Sequence, residues 1–306
     1  MTSLNRAWNR FFFSSFDPLP LAPLRITLGI LFLVMLCFLY PNWEIYYGRA
    51  GIPSLIANPG WIPPYEDWWS AFRWLDGIVS LKAIWWMGIL TSIAFIIGFQ
   101  TRIATILLYI LQTSMIHRNL SVVNGEDLVF RMVLLYCCFL PLGDYWSVDS
   151  RLRKRNPPLR SAWALRLLQL NLLLIYAFSL PCKLLLDPTW LSGDAMYYVA
   201  INATWSRIPW PELFYYYPVS AINTYMAIIV EATLPILVWF KRTRPWAVAN
   251  AMFFHVMISI LLLNVTFFSL TMVFSFFALY QAEDIRRFEN WLRRFLALQL
   301  KEQAHA

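Results

Sequence analysis

About eight times along the chain, a stretch almost free of charge runs for close to the ~20 residues that a helix needs to cross ~30 Å of hydrocarbon. The runs are Leu24–Tyr40, Ala83–Phe99, Thr101–Ile116, Leu128–Leu142, Ala162–Cys182, Ala221–Phe240, Trp246–Leu263 and Val265–Tyr280. Backbone polar groups in lipid must be satisfied within the segment, so runs of this length predict helices. The expected fold is an all-α, polytopic integral membrane helical bundle with about eight transmembrane helices. The chain is 59% hydrophobic and only 14% charged over 306 residues, with 16 Trp, 15 Tyr and 23 Phe, more apolar surface than a water-soluble domain of this length buries. Three regions are expected: an N-terminal segment at 1–23, a transmembrane domain at 24–282 and a C-terminal amphipathic helix at 283–306.

Basic residues set the expected orientation. "RLRKR" (Arg151–Arg155), "KRTR" (Lys241–Arg244) and "RRFENWLRR" (Arg286–Arg294) follow the fourth, sixth and eighth runs. Under the positive-inside rule these loops are cytoplasmic, and an even number of spans puts both termini there too. A multi-pass protein of the inner (plasma) membrane follows, with the lipid bilayer as its first partner. The N-terminal residues lack a basic-then-apolar stretch ending in a small-residue cleavage site, so the first apolar helix is expected to be retained. The net charge of +8 is accounted for by these loops, and no nucleic-acid site is read from it. Cys37, Cys137, Cys138 and Cys182 lie in or beside apolar runs without metal-ligand spacing, as expected of packing residues.

Pro41–Leu81, His117–Asp127, Lys183–Ser220 and the turn near Asn264 then face the other side. Two of these segments, Asn58–Gly77 and Thr204–Pro218, are dense in Trp, Tyr and Pro. Such composition suits interfacial helices on the outer face, or a lid for a lipid-soluble ligand. Near the C-terminus, Ile285, Phe288, Trp291, Leu292 and Phe295 recur at helical spacing among Arg and Glu, predicting an amphipathic helix on the inner leaflet.

Polar groups at membrane depth are costly unless partnered, which makes them site candidates. Asn124, Glu126, Asp127 and Arg131 open the fourth run; Asp127 and Arg131 have the spacing to pair on one helix face, and an acid in a first turn also serves as a cap. Glu231 lies mid-run without a charged neighbour within a turn, so it needs a partner from another helix. His255 is the histidine inside an apolar run and has Glu231 as a candidate partner; His117 stands at a helix end and His305 in the tail. Lys183 ends the fifth run, where a lysine ordinarily snorkels to the headgroups. Lys183 is one of 5 lysines among 25 basic residues, and arginine would serve snorkelling equally well.

"GDYWSVDSRLR" (Gly143–Arg153), "CKLLLDPTWLSGDAMYY" (Cys182–Tyr198), "EATLPILVWFKRTR" and "FFHVMISILLLNVTFFSLTM" together resemble the membrane domain shared by vitamin K-dependent γ-glutamyl carboxylase and the bacterial horizontally transferred transmembrane (HTTM) proteins. Order and spacing agree over roughly residues 15–285, most specifically at "YWSVD" and at the K-L-x-x-D-x-x-W-x-x-G-like run from Lys183. The resemblance implies that Lys183 is the base that deprotonates a bound hydroquinone. Glu231 and His255 match an acid and a histidine of the family. Where the carboxylase has a functionally important histidine, this chain has Glu126, a departure that separates the two chemistries. The implied catalytic set is Lys183, Glu126, Asp127, Glu231 and His255, with Arg131, Trp190 and Asn264 beside a quinone-like cofactor. A lysine with an ordinary pKa near ~10.4 is protonated at neutral pH, so a lysine base requires desolvation.

Two further classes stand beside this membrane enzyme. One is a non-catalytic maturation factor for an exported peptide or partner protein, as the resemblance to the compact sporulation-delaying toxin maturation protein implies. The other is a transporter with Glu231 and His255 as proton relay, against which stands the lack of an inverted repeat. Zinc spacings, phosphate loops and nucleophile elbows are not visible in the sequence.

Overall fold

The computed structural model of the protein describes residues 3–48, 69–153, 158–208 and 210–304, with side chains through residue 295. Residues 58–68 of the first aromatic segment, Pro209 of the second, Lys154 and Arg155 of "RLRKR", and His305 lie outside the described residues.

Each of the eight apolar runs forms a helix. After α1 (Ser3–Phe13) come α2 (Leu21–Leu39), α3 (Leu81–Ile97), α4 (Thr101–Arg118), α5 (Gly125–Cys137), α6 (Trp163–Leu186), α7 (Tyr217–Leu237), α8 (Arg244–Leu261) and α9 (Thr266–Ser275), which continues as a 3-10 turn through Leu279; α10 (Ala282–Ala304) ends the described chain. Three stretches, Leu21–Tyr47, Trp163–Leu186 and Tyr217–Leu237, are long and apolar enough to cross a membrane by length and composition, and Leu81–Ile97 and Thr266–Leu279 are shorter apolar helices.

Packing follows the chain, with one crossing. Neighbours α3/α4, α4/α5, α6/α7, α7/α8 and α8/α9 lie side by side, while α9 also packs on α2 and α5 and so closes the two halves on each other. On α2, Leu24, Leu28, Phe32 and Leu36 recur every four residues and are fully buried, one helical stripe facing the centre. Met272 and Phe276 meet the same core from the α9 side.

The outward faces invert the soluble pattern. Trp86, Leu90, Ile93 and Ile97 on α3, and Ile222, Met226 and Ile229 on α7, recur at helical spacing and are exposed, whereas Ser92, Thr105, Gln112, Ser114, Thr224 and Ser269 are buried. Hydrocarbon outside and small polar groups between helices is the arrangement that suits lipid as solvent.

Both terminal helices lie at one end of the bundle. Ser15–Phe16 pairs antiparallel with Arg160–Ser161, Arg166 donates to the Phe11 carbonyl at 3.2 Å, and Arg286 pairs with Asp17 at 2.5 Å. At this end "GDYWSVDSRLR" forms a polar clamp. Arg25, fully buried on α2, donates to the carbonyls of Leu142 at 2.8 Å, Tyr145 at 3.1 Å and Trp146 at 2.6 Å. Buried Asp144 holds Arg153 and Arg160, both at 2.8 Å. Asp149 accepts from the Gln100 and Thr101 amides at 2.9 and 2.8 Å and from the Thr101 hydroxyl at 2.6 Å, capping α4 from across the chain.

Burial pushes the Asp149 carboxyl up, but the hydrogen bonds from Thr101 and Gln100 outweigh it and hold the group below its ordinary value. A depressed carboxyl contributes stability above its unfolded value, near pH ~4, and loses that contribution as pH falls through the folded value. Asp149→Ala is therefore expected to cost about 1–2 kcal/mol at neutral pH, the size of a lost cap. Thermal melts in detergent should show that deficit shrinking below pH ~4.

Candidate functional site

The site is built at the opposite end, from α6, α7, α8 and one short helix. On α6, Tyr176, Ser179 and Lys183 are three and four residues apart and so share a face. Lys183 forms an ion pair with Glu231 of α7, and the Ser179 hydroxyl donates to the other carboxylate oxygen at 3.3 Å. The Lys183 side chain is only 23% exposed and that of Glu231 6%, so the lysine does not extend freely toward headgroups. Glu231 thus receives its partner from another helix, as its isolation in the sequence requires.

"DPTWLSG" holds Trp190 over the lysine. Asp187 caps the one-turn helix Pro188–Ser192 by accepting from the Thr189 amide at 3.0 Å and hydroxyl at 2.7 Å, which also holds the Asp187 carboxyl below its ordinary range. Pro188 takes the first helical position, and Gly193 ends the turn at φ 86°, a left-handed conformation that favours glycine. The Gly193 carbonyl accepts from Ser220 at 2.9 Å and Thr224 at 3.1 Å, fixing the short helix on α7. Trp190 then places its ring 4.3 Å from Lys183 Nζ, within cation–π range.

His255 of α8 is 2% exposed and turns to Tyr176 rather than to Glu231, with the tyrosine hydroxyl 2.6 Å from its Nε2. The sequence-based pairing of His255 with Glu231 is thereby corrected: Lys183 occupies the carboxylate. Among the described residues, His255 Nδ1 is buried without a hydrogen-bond partner. Lys183, Trp190, Glu231, Tyr176 and His255 all line one cavity of ≈460 Å³, whose remaining wall is mostly apolar, including Val230, Phe253 and Phe268.

A protein-family model, the HTTM domain, matches residues 56–284, which is 229 of 306 residues. The chain belongs to the HTTM-domain family. No curated protein and no solved structure matches it. The HTTM domain takes in α3 to α9 and the whole ≈460 Å³ cavity, while α2, which precedes the match, packs on α3 and α9 all the same.

Other residues singled out in the sequence stand elsewhere in the HTTM domain. Glu126 and Asp127 line a separate cavity of ≈190 Å³ beside Tyr46 and Asn42. Asp127 accepts from the Asn124 amide and from Gln112, each at 3.0 Å, the back-reach of a capping box, and Arg131 turns to His117 Nε2 at 3.3 Å instead of to Asp127. Asn264 sits at φ 57° in the turn between α8 and α9 and donates to the Thr204 carbonyl at 3.2 Å. Tyr176 and Ser179 join the site without having been singled out; their spacing from Lys183 along one helix face was the signal for them.

Proposed function

We propose that this HTTM-domain protein is a membrane-embedded enzyme, related in design to the vitamin K-dependent carboxylase, that uses Lys183 as base toward a lipid-soluble, quinone-like ligand. The full reading is eight membrane spans with both termini cytoplasmic in the inner membrane, so that the cavity opens toward the extracytoplasmic half. One observation carries it: Lys183, Glu231 and His255, each costly at membrane depth, converge on a single mostly apolar cavity.

The lining suits a flat apolar ligand with few oxygens, and the orphaned His255 Nδ1 is a polar contact in need of one. Such a ligand, bound in its reduced hydroquinone form, supplies an acidic hydroxyl. Lys183 Nζ accepts the proton of that hydroxyl, and the Glu231 carboxylate paired with it offsets the positive charge so formed. Trp190 lies over the amine, and Tyr176 orients His255 through Nε2. Glu126 and Asp127, in the separate cavity, take no part in this step.

Mass spectrometry of the lipid extract of purified protein provides the test. A quinone retained by wild type and reduced in Trp190→Ala supports the reading. An extract of phospholipid alone overturns it, and a co-purifying exported peptide in its place would assign the protein to maturation rather than catalysis.

A further inference from the structure

The largest cavity among those described lies not at Lys183 but at the end that gathers both terminal helices. It measures ≈770 Å³, within the roughly 300–1,000 Å³ of ordinary ligand pockets, and is bounded by α1, the Ser15–Phe16 strand and the starts of α2, α6, α8 and α10. Arg166, Arg244 and Arg286 line it, with Leu165, Val238 and Leu279 forming apolar wall.

Its charges do not cancel. Arg286 is matched by Asp17 at 2.5 Å, and Glu283 is drawn to Lys241 at 3.1 Å. Arg244 reaches Asp284 only at 3.9 Å. Among the described residues Arg166 has no carboxylate partner; its guanidinium donates to the Phe11 carbonyl and, at 2.8 Å, to Gln169, and lies over the rings of Phe11 and Trp239 at 5.0 and 5.8 Å.

We propose that this cavity binds a phosphate-bearing anion, and that its source is the headgroup of an anionic phospholipid. Arg166 takes the phosphate oxygens through its guanidinium, Arg244 supplies a second positive charge, and the apolar wall takes the adjoining glycerol and acyl carbons. The membrane is the favoured source because the flanking helices carry exposed aromatics among basic residues, Trp8 and Phe13 on α1 and Phe288 and Trp291 on α10, as helices at headgroup depth do.

Thermal unfolding of the full-length protein in detergent micelles, titrated with phosphatidylglycerol, phosphatidylcholine or inorganic phosphate, tests this. Phosphatidylglycerol is expected to raise the melting temperature saturably and phosphatidylcholine is not. Arg166→Gln should raise the half-saturating concentration about tenfold, the loss of one charge-assisted contact, and Arg166→Lys should recover part of that. Equal half-saturation in wild type and Arg166→Gln overturns the site, as does a wild type that answers both lipids alike, a result that does not depend on any variant folding. An equal response to millimolar inorganic phosphate overturns the lipid as the source.

Discussion

Replacing Lys183 by arginine is expected to slow the oxidation of a reduced naphthoquinone probe by added dioxygen in the presence of purified protein about 10²–10⁴-fold, the size of a lost general base, with the thermal melt close to that of wild type. Arginine retains the positive charge, the reach to Glu231 and the stacking on Trp190. It does not release a proton at any accessible pH. A merely structural Lys183 would tolerate the change, so an undiminished rate removes the base from the mechanism. Stability separates from chemistry in a second comparison. Lys183→Met strands the buried Glu231 carboxylate and should cost about 3–5 kcal/mol, whereas Lys183→Met with Glu231→Met replaces both charges by apolar groups and should regain most of that loss. The double variant is expected to melt above either single variant and still be inactive; a double variant that melts below both would show that the pair itself stabilises the fold.

Arg25→Met should be the most damaging single change at the opposite end of the bundle. The methionine fills much of the volume but leaves the Leu142, Tyr145 and Trp146 carbonyls without their donor. At about 1–3 kcal/mol for each acceptor left unpaired, the three carbonyls, of which that of Leu142 is the most buried, give a loss of about 3–9 kcal/mol. In a chain of this length that corresponds to a drop in melting temperature of roughly 5–14 °C, read by thermal unfolding in detergent. A melt unchanged from wild type would mean that water or backbone rearrangement replaces the guanidinium. The effect should reach α4 as well, because Trp146 at φ 48°, itself held by Arg25, stands only three residues before the Asp149 cap.

The helices were legible in the sequence because lipid imposes a length and a composition on them: all eight apolar runs are helices with ends shifted by only a few residues. The Lys183 motif was legible too, through its resemblance to the family run; the structure adds that Asp187 and Pro188 start the short helix that Gly193 ends. What periodicity does not encode is which helices meet. His255 and Glu231 sit on adjacent helices and were natural partners, yet Tyr176 and Lys183 on α6 take them separately. Glu126 and Asp127 shared polarity with Lys183 but not its cavity, because capping α5 and binding Gln112 satisfies Asp127 where it stands. The clamp around Arg25 was hidden for a different reason. A single arginine near the start of an apolar run reads as a topology marker, and only the fold brings the carbonyls of residues 142–146, more than a hundred residues later, around it.

The stretch matched by the family model begins at residue 56, whereas Leu24, Leu28, Phe32, Leu36 and the clamp held by Arg25 all precede it. The unit recognisable by descent is therefore shorter than the unit that folds. A fragment cut to residues 56–284 would open a trench along α3 and α9 where α2 belongs, and would leave the carbonyls of Leu142, Tyr145 and Trp146 without the guanidinium that donates to them. Heredity and cooperativity draw different borders on this chain.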